Sequence, residues 1–462
     1  MRRPSRARFL SGLAGLAALP RLGSAQALTN PSAIAADVRA EFLHGWRGYR
    51  SVAWGHDEVL PQSGGTHEFF VPGHPVGLSI VEALDTLYVM ELDDELRAAS
   101  AWTRDNLSFD VDGDFQVFEA VIRLVGGLIA GHLATGEPSL LALARDLADR
   151  LLPAFTKSPT GIPYRYVNLR TGAVREPRTN VAEAGTNVLE FGTLSRLVDD
   201  AKYFDAAKRA LRAIVDRRSS LDLVGTNIDA EKGEWTDDED FGPNPPADSF
   251  YEYLWGGWAL LGDADCRRWY RLLTPALLAR LADRTSGKLW FRQVNFRTGA
   301  PLGTGQSELA AFYAELIAQG GDRAAGEAYY DSWTTVAERY GLIPEEIDYA
   351  TGEVTDPGYA LRPEYANAAF DLWLLTRRQR YRTTARAHFD ALKRNCRVAG
   401  GYTVVTDVRT TPMALGDLTP GYWFAENMKY LYLLFADAPR FDYARNYLST
   451  EGKILRGLLP KR

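Results

Sequence analysis

Apolar residues recur at helical spacing along almost the whole chain from about Pro31 onward. Short turns rich in Gly, Pro, Asn and Asp separate these segments. The clearest segments are Val117 to Leu133, Ser139 to Leu152, Ala182 to Leu197, Phe250 to Leu261, Glu308 to Gln319, Tyr365 to Thr376 and Trp423 to Phe435. Several are apolar around much of their circumference, which is typical of helices buried on two sides. The pattern predicts an all-α protein whose helices form a two-layer barrel.

Two short segments depart from this pattern. Residues 161–172 and residues 289–299 alternate between apolar and polar positions, and each ends on Thr-Gly. Such alternation before a turn dipeptide is typical of β-hairpins. We expect small hairpins at one end of the barrel, where they link helices.

The first residues have the three-part pattern of an export signal. A basic start, with Arg at positions 2, 3, 6 and 8, precedes an apolar stretch and the small-residue site Ala25-Gln26-Ala27. The apolar stretch, from Phe9 to about Leu19, is shorter than the ~20 residues that a membrane span needs. We predict a signal peptide over residues 1–27, and a mature protein that is periplasmic or secreted and not membrane-embedded.

Composition narrows the class of protein further. The chain has 462 residues, of which 46% are hydrophobic and 24% charged, with a formal net charge of −6. These values are ordinary for a globular protein. Basic residues are spread along the chain, which argues against a nucleic-acid partner. Cys266 and Cys396 permit one disulfide, which sequence alone cannot establish. Residues 28–462 contain no linker or low-complexity segment, so we expect a single domain there.

Glu119 is an acidic residue inside an otherwise apolar helical segment. Arg123 follows four residues later and projects from the same face. Burial raises the pKa of a glutamate, whereas a neighbouring arginine lowers it. A carboxyl group among apolar neighbours suits a general acid. The alternative is a structural Glu–Arg pair that bridges helices.

Two further carboxylates stand at predicted helix starts. Proline is favoured at the first helical position, so Pro363 puts Glu364 in the first turn, near the positive end of the helix dipole. A carboxylate there stays ionised, as a general base requires, although the same position is also common for glutamates without a function. Ser249 and Glu252 match a capping box, which leaves Asp248 just outside the helix. Asp248 is then a turn residue or a third active-site carboxylate.

The C-terminal part of the chain offers oxygen donors. Tyr422 and Glu426 are four residues apart near the start of an apolar segment and share a face, and Thr450 and Glu451 follow near the end. A threonine can offer its hydroxyl and carbonyl oxygens to calcium, which takes about six to eight oxygen ligands, including waters. Taken alone, this short string does not indicate a calcium site.

Ten short strings keep a fixed order along nearly all of the chain after residue 27. They are His44 to Tyr49, Ala53 to Glu58, Gly77 to Leu87, Val117 to Glu119 with Ile122 to Arg123 and Gly126 to Leu128, Leu151 to Phe155, Gly161 to Pro163, Asp248 to Tyr253, Leu361 to Glu364, Phe424 to Glu426 with Lys429 to Leu431, and Thr450 to Glu451. The ordered set resembles glycoside hydrolase family 47, the class I α-mannosidases.

The resemblance implies an (α/α)7 barrel that a hairpin plugs at one end. It also implies a calcium-dependent, inverting exo-α-1,2-mannosidase that acts on terminal α-1,2-linked mannose of high-mannose glycans or related mannosides. We expect a monomer whose partner is this mannose-containing oligosaccharide.

The resemblance also implies roles for individual residues. The general base matches Glu364, and Glu119 and Asp248 share the remaining catalytic positions, with the choice of general acid between them open. Thr450 matches the direct calcium ligand, and the calcium-bound waters match Glu426 and Glu451. The remaining implied substrate contacts are Arg123, Arg362, Tyr422 and Glu426.

The chain departs from the family pattern at three positions. Gln306 stands where the family has a histidine, Tyr422 where it has a phenylalanine under the sugar, and Leu309 where eukaryotic members have a disulfide cysteine. These changes leave fine specificity open. One alternative function is a non-hydrolytic, mannose-glycan-binding relative of the same fold. Another is a different helical-barrel hydrolase that acts on glucosides or uronides.

Overall fold

The computed structural model describes residues 30–461, so the predicted signal peptide lies outside the described residues. Within that range, fourteen helices follow one another as α1 to α14, where the helical segments over 117–135, 181–198, 308–319 and 423–435 each count as one helix. The odd-numbered helices are α1 Pro31–Val52, α3 Asp93–Asn106, α5 Pro138–Thr156, α7 Lys202–Val215, α9 Ala264–Leu281, α11 Arg323–Tyr340 and α13 Gln379–Asn395. The even-numbered helices are α2 Leu78–Val89, α4 over 117–135, α6 over 181–198, α8 Asp248–Ala259, α10 over 308–319, α12 Glu364–Thr376 and α14 over 423–435.

The even-numbered helices form a closed inner ring. Each of them contacts the next even-numbered helix, and α14 contacts α2 to close the ring. The odd-numbered helices form the outer layer, in which α3 to α13 each pack on the preceding inner helix and α1 packs on α14. The first and last helices of the chain, α1 and α14, therefore pack on each other and complete the two-layer barrel. The prediction of an all-α (α/α)7 barrel is confirmed.

The two layers differ in how their residues are buried. All twelve residues of α2 are buried, including Glu82 and Asp85, because its neighbours cover it on every side. Helix α7 instead buries a single stripe and leaves the opposite face to solvent. The buried stripe of α7 consists of Tyr203, Ala206, Ala207, Ala210, Leu211, Ala213, Ile214 and Val215. Sequence patterns that are apolar all round therefore mark the inner ring.

One inner helix is long and apolar enough to cross a membrane. It covers Val117–Thr135, with a mean hydropathy of 1.6 over the most apolar window, and 78% of that window is buried inside the protein. Burial among α2, α5 and α6 accounts for its apolar character, since core helices of this kind pass the same length and composition test.

Short antiparallel strands lie in the connections that lead from an outer helix to the next inner helix. Six pairs are Glu58–Leu60 with Gly65–His67, Arg178–Asn180 with Asn227–Asp229, Ala282–Asp283 with Trp290–Phe291, Arg397–Val398 with Gly401–Tyr402, Val405–Asp407 with Ala414–Leu415, and, after α14, Tyr447–Leu448 with Ile454–Arg456. Three-stranded sheets join Asp114–Gln116, Tyr166–Asn168 and Val174–Arg175; Glu239–Asp240, Gln293–Asn295 and Pro301–Gly303; and Gly305–Ser307, Glu346–Asp348 and Glu353–Asp356.

Both predicted hairpins form, with shifted bounds. The segment 161–172 supplies Tyr166–Asn168, whose partner Val174–Arg175 lies just beyond it. The segment 289–299 supplies Gln293–Asn295, whose partner Pro301–Gly303 again follows the predicted end. The Thr-Gly dipeptides belong to the turns and not to the ends of the hairpins.

The last hairpin, Tyr447–Leu448 with Ile454–Arg456, inserts its turn into the barrel. The turn residues Ser449 and Lys453 are buried. The main-chain N–H of Ile454 donates to Oδ2 of Asp85 at 2.8 Å, and Nζ of Lys429 donates to the carbonyl of Gly452 at 2.6 Å. Inner helices α2 and α14 therefore hold the turn at the barrel axis.

Both cysteines are buried and free. Cys266 lies near the start of α9 and Cys396 follows the end of α13. The disulfide that the sequence permitted is not formed.

Candidate active site

A cavity of about 280 Å³ lies at the end of the barrel where the inner helices begin. Its walls come from the first turns of α4, α6, α8, α10, α12 and α14, and its floor comes from the hairpin turn. The structure brings together in it all of the residues singled out from sequence, namely Glu119, Arg123, Asp248, Arg362, Glu364, Tyr422, Glu426, Thr450 and Glu451. Helix N-termini carry partial positive charge, so this end of the barrel favours carboxylates.

Glu119 and Arg123 form an ion pair on the wall of this cavity. Nε of Arg123 donates to Oε2 of Glu119 at 2.6 Å, and Nη1 donates to Oε2 of Glu451 at 2.8 Å. The same guanidinium reaches Oε1 of Glu82 at 3.3 Å. Arg123 thus joins α4 to α2 and to the hairpin turn. The structural and the functional interpretation of the Glu119–Arg123 pair are compatible, because the pair links α4 to other elements and also faces the cavity.

The chain around Arg123 is π-helical from Ala120 to Val125. A second π-helical segment, Trp423–Asn427, carries Glu426 on the neighbouring side of the cavity. Such wide turns occur frequently at functional sites, where they alter the direction of side chains. Neither segment was recognisable from the hydrophobic pattern.

The ring of Tyr422 lies between two arginines. The Cζ atoms of Arg123 and Arg362 are 5.6 Å and 5.7 Å from its centroid. Its hydroxyl donates a hydrogen bond to the main-chain carbonyl of Ala360. An aromatic face and two cationic groups therefore meet on one wall.

The loop before α12 presents Arg362 and Glu364 to the cavity in a strained backbone conformation. Leu361 has a φ of 60°, a region that costs a non-glycine residue about 1–3 kcal/mol. The amide of Asn427 donates to the carbonyls of Leu361 at 3.0 Å and Arg362 at 3.1 Å. Nε of Arg362 donates to Oε2 of Glu345 at 2.9 Å. These contacts hold the loop against its strain.

Glu364 is the first residue of α12, and Pro363 is its N-cap. The prediction of Glu364 in the first turn is therefore met, with the proline one residue earlier than expected. Burial raises the pKa of Glu364, and the adjacent Arg362 opposes that effect. The carboxyl group of Glu308, which begins α10, lies directly beside that of Glu364.

The predicted capping box before α8 is wrong. The N-cap is Ala247, which has no side-chain cap, and Asp248 is the first helical residue. The hydroxyl of Ser249 is hydrogen-bonded to that of Thr186 at 2.8 Å, and Glu252 reaches Thr450. Burial raises the pKa of Asp248 to about 6. Asp248 therefore lies inside the site and not in an exposed turn.

The floor around Thr450 is rich in buried oxygen donors. Glu252 hydrogen-bonds Thr450, and burial raises the pKa of Glu252 to about 8. Burial also raises the pKa of Glu426 and of Glu451. Near the same turn, buried carboxylate oxygens of Glu82 and Glu190 have no hydrogen-bond partner among the described residues. An all-oxygen set of this kind suits a hard cation.

Side chains alone do not chelate a metal here. Among residues 30–461, no group of three or more acidic, histidine or cysteine side chains is arranged to hold an ion. A cation at this floor would therefore depend on the oxygens of Thr450 and on water molecules held by Glu426 and Glu451. The donor chemistry fits this arrangement, since calcium accepts carbonyl, hydroxyl and water ligands.

Sequence reasoning missed several polar residues of the site. Glu183 lines the cavity at the start of α6 and accepts from Gln116 at 2.9 Å. Glu308 lies behind Glu364, and Asn427 supports the loop before α12. For Glu308 a signal existed, because it is an acidic residue in an apolar segment, as Glu119 is. Gln306, where a specificity effect was left open, does not line the cavity and bonds the carbonyl of Phe291 instead.

The fold and the cavity together are those of a carbohydrate-active enzyme family. The model of glycosyl hydrolase family 47 matches residues 41–457. The chain belongs to this family, and the predictions of family and of a glycoside hydrolase are confirmed.

Known relatives cover most of the chain. "Alpha-mannosidase I MNS5" of Arabidopsis thaliana is 35% identical over an alignment 444 residues long, which covers 90% of this chain and 75% of that protein. "Mannosyl-oligosaccharide 1,2-alpha-mannosidase IB" of Mus musculus is 32% identical and matches 86% of this chain and 66% of that protein. The structure of an α-1,2-mannosidase from Trichoderma reesei superposes with a TM-score of 0.83 at 24% identity, over 92% of this chain and 99% of that one.

Proposed function

We propose that the protein is a calcium-dependent, inverting exo-α-1,2-mannosidase that removes terminal α-1,2-linked mannose from high-mannose glycans or related mannosides. Family membership and the activities by which the relatives are named support this substrate class. The observation that carries the proposal is the convergence of Glu119, Asp248 and Glu364 on one cavity.

The shape of the cavity supports action at chain ends. The hairpin turn carries Thr450 and Glu451 and forms the floor of the cavity. A space of about 280 Å³ bounded in this way admits a terminal sugar but not the middle of a glycan. The ring of Tyr422 offers an apolar face, and Arg123, Arg362 and Glu426 offer partners for hydroxyl groups.

Inversion needs a base that activates water on one face of the sugar and an acid that protonates the leaving oxygen on the other. Glu364 is proposed as the base. Burial raises its pKa to about 7, close to the pH at which a base works best, while Arg362 and the helix N-terminus favour its ionised form. It takes a proton from water as the water oxygen bonds to C1 and the glycosidic bond breaks. The leaving oxygen then takes a proton from Glu119 or Asp248.

The two acid candidates have different environments. Glu119 accepts a hydrogen bond from Arg123, which fixes the position of its carboxyl group. Asp248 is buried, which raises its pKa to about 6 and favours the protonated form. The structure supports each candidate in a different way, and the choice is an experimental question.

Calcium is proposed at the floor, with Thr450 as the direct ligand and Glu426 and Glu451 acting through water. When bound there, it would supply a positive charge that orients hydroxyl groups of the terminal mannose. The residues of this chain supply the base, the acid and the remaining hydroxyl partners. The basic, apolar and small-residue pattern of residues 1–27 supports export to the periplasm or the medium, with the single catalytic domain as the mature protein.

The test is hydrolysis of α-1,2-mannobiose by the purified mature chain, with and without a chelator, followed by NMR of the anomer first released. Early β-mannose that disappears on chelation and returns with calcium is expected. Early α-mannose would overturn inversion, and release that survives complete chelation would overturn calcium dependence. Binding without release, on this disaccharide and on a longer high-mannose glycan, would favour the non-hydrolytic relative.

A further inference from the structure

A second carboxyl group lies directly behind Glu364. Glu308, the first residue of α10, is completely buried and does not line the cavity. Its carboxyl group lies beside that of Glu364, close enough for one proton to be shared between them. Among the described residues, neither oxygen of Glu308 has a hydrogen-bond partner, so a proton between the two carboxyl groups is the one way to satisfy them. The contact between the two carboxyl groups is therefore the main polar interaction that this buried side chain makes.

Two carboxyl groups in contact do not both ionise, because the like charges repel and burial penalises each of them. One proton therefore stays with the pair. The surroundings place it on Glu308. Burial is the largest effect that raises the pKa of Glu308, followed by the charges of Glu364 and Glu345, while Arg362 acts in the opposite direction. Arg362, two residues before Glu364, opposes the effect of burial on the pKa of Glu364 and also pairs with Glu345.

We propose that Glu308 is a positioning residue, a neutral carboxylic acid that donates a hydrogen bond to the Glu364 carboxylate and aims its free oxygen at the attacking water. This inference rests on the proposed role of Glu364 as the general base. A neutral donor stabilises the ionised form of Glu364, whereas an ionised neighbour would suppress it. The proton of Glu308 stays on Glu308 throughout, and the bonds formed and broken are those of the hydrolysis step already described.

The alternative is that Glu308 only supports the fold. Its main chain already does so, since the N–H of Glu308 donates to the carbonyl of Glu345 at 2.9 Å whatever the side chain is. The neighbours along α10, Leu309, Ala310, Ala311 and Phe312, are apolar. An apolar side chain at position 308 would avoid the cost of burying a polar group, which is about 1–3 kcal/mol in proteins. A purely structural role therefore does not explain a carboxyl group here.

Two variants separate the roles. Glu308→Gln keeps the size and a neutral donor, and Glu308→Met keeps the length and removes the donor. Glu315 provides the matched control, because it is another carboxyl group of α10 that bonds Gln319 and lies outside the catalytic cavity. Kinetics on α-1,2-mannobiose, with circular dichroism to confirm folding, are measured for all variants and for Glu315→Met.

Glu308→Gln is expected to keep kcat within about threefold of the wild-type value. Glu308→Met is expected to lose about 10–100-fold in kcat with KM nearly unchanged, which is part of the roughly 10²–10⁴-fold rate enhancement that a general base supplies. Glu315→Met should retain kcat. Undiminished kcat in Glu308→Met overturns the proposal, as does an equal loss in Glu308→Gln.

Infrared spectroscopy gives a readout that does not depend on turnover. The difference spectrum between wild type and Glu308→Gln at neutral pH should contain the carbonyl band of one protonated carboxyl group. A carboxylate band in its place would overturn the proposal even if every variant folds. A wild-type chain that releases no mannose would contradict the proposed function, and the infrared band would still decide the protonation state of Glu308.

Discussion

The hydroxyl group of Tyr422 donates a hydrogen bond to the main-chain carbonyl of Ala360. This bond ties an aromatic wall of the cavity to the loop that carries Arg362 and Glu364. A phenylalanine, the residue that the family pattern has here, would keep the ring and lose the bond. The tyrosine therefore acts on the position of the loop more than on the apolar face under the sugar.

Tyr422→Phe is expected to lower kcat severalfold and to leave KM within about twofold, because the ring stays and the loop loses a support. The unpaired carbonyl should lower the free energy of unfolding by about 1 kcal/mol. Tyr88→Phe is a matched control, since the Tyr88 hydroxyl also donates to a main-chain carbonyl, that of Leu459 at 2.7 Å. It should affect stability alone. Equal kcat values for Tyr422→Phe and wild type would contradict the proposed support.

The choice between Glu119 and Asp248 as general acid can be made with two substrates. The variant of the true acid, Glu119→Gln or Asp248→Asn, should lose about 10²–10⁴-fold on α-1,2-mannobiose. The same variant should keep most of its rate on α-mannosyl fluoride, whose leaving group needs no proton. Glu364→Gln should lose activity on both substrates, because the base is needed in each case. If both acid candidates fail on the fluoride as well, the proton comes from another group.

The sequence could predict contacts that depend on helical periodicity. Glu119 and Arg123 are four residues apart and do pair, and the all-round apolar segments do form the inner ring. Contacts across the barrel have no such signal. Arg123 meets Glu451 only because the terminal hairpin enters the barrel, and the two residues are 328 positions apart. The position of Thr450 at the floor depends on the same insertion.

Local rules also failed where tertiary contacts competed with them. Ser249 and Glu252 have the spacing of a capping box, yet Thr186 binds the serine hydroxyl and Thr450 reaches the glutamate. The strained conformation of Leu361 is another case, because Asn427, 66 positions away, stabilises it. Both departures lie at the cavity, where side chains make contacts within the site and local helix rules are not followed.

Buried acidic groups predict how stability depends on pH. Burial raises the pKa of Glu190 to about 8 and that of Asp240 to about 7, compared with roughly 4 in an unfolded chain. The native state then holds protons that the unfolded state has released. The free energy of unfolding should therefore fall as pH rises from about 5 to about 8.

This pH dependence can be followed as the thermal midpoint in calcium-free buffer. Asp240→Asn should flatten the decline, because Asp240 is completely enclosed and one of its oxygens has no hydrogen-bond partner among the described residues. Asp94→Asn should leave the slope unchanged, because the Asp94 side chain is 89% exposed. A midpoint that rises through the same pH window would contradict the assignment.

Thr450→Val tests the proposed calcium ligand with almost no change of shape. The variant keeps the main-chain carbonyl and loses the hydroxyl, so calcium affinity should fall on the order of 10–100-fold, the range seen when support for a metal ligand is removed. Isothermal titration of the calcium-free protein measures the affinity directly. Thr335→Val on the exposed face of α11 should bind calcium as the wild type does. Because calcium binds the native state only, it should raise the thermal midpoint of the wild type and of Thr335→Val more than that of Thr450→Val. Unchanged affinity in Thr450→Val would place the cation away from the hairpin turn and would remove the structural basis for calcium at the barrel floor.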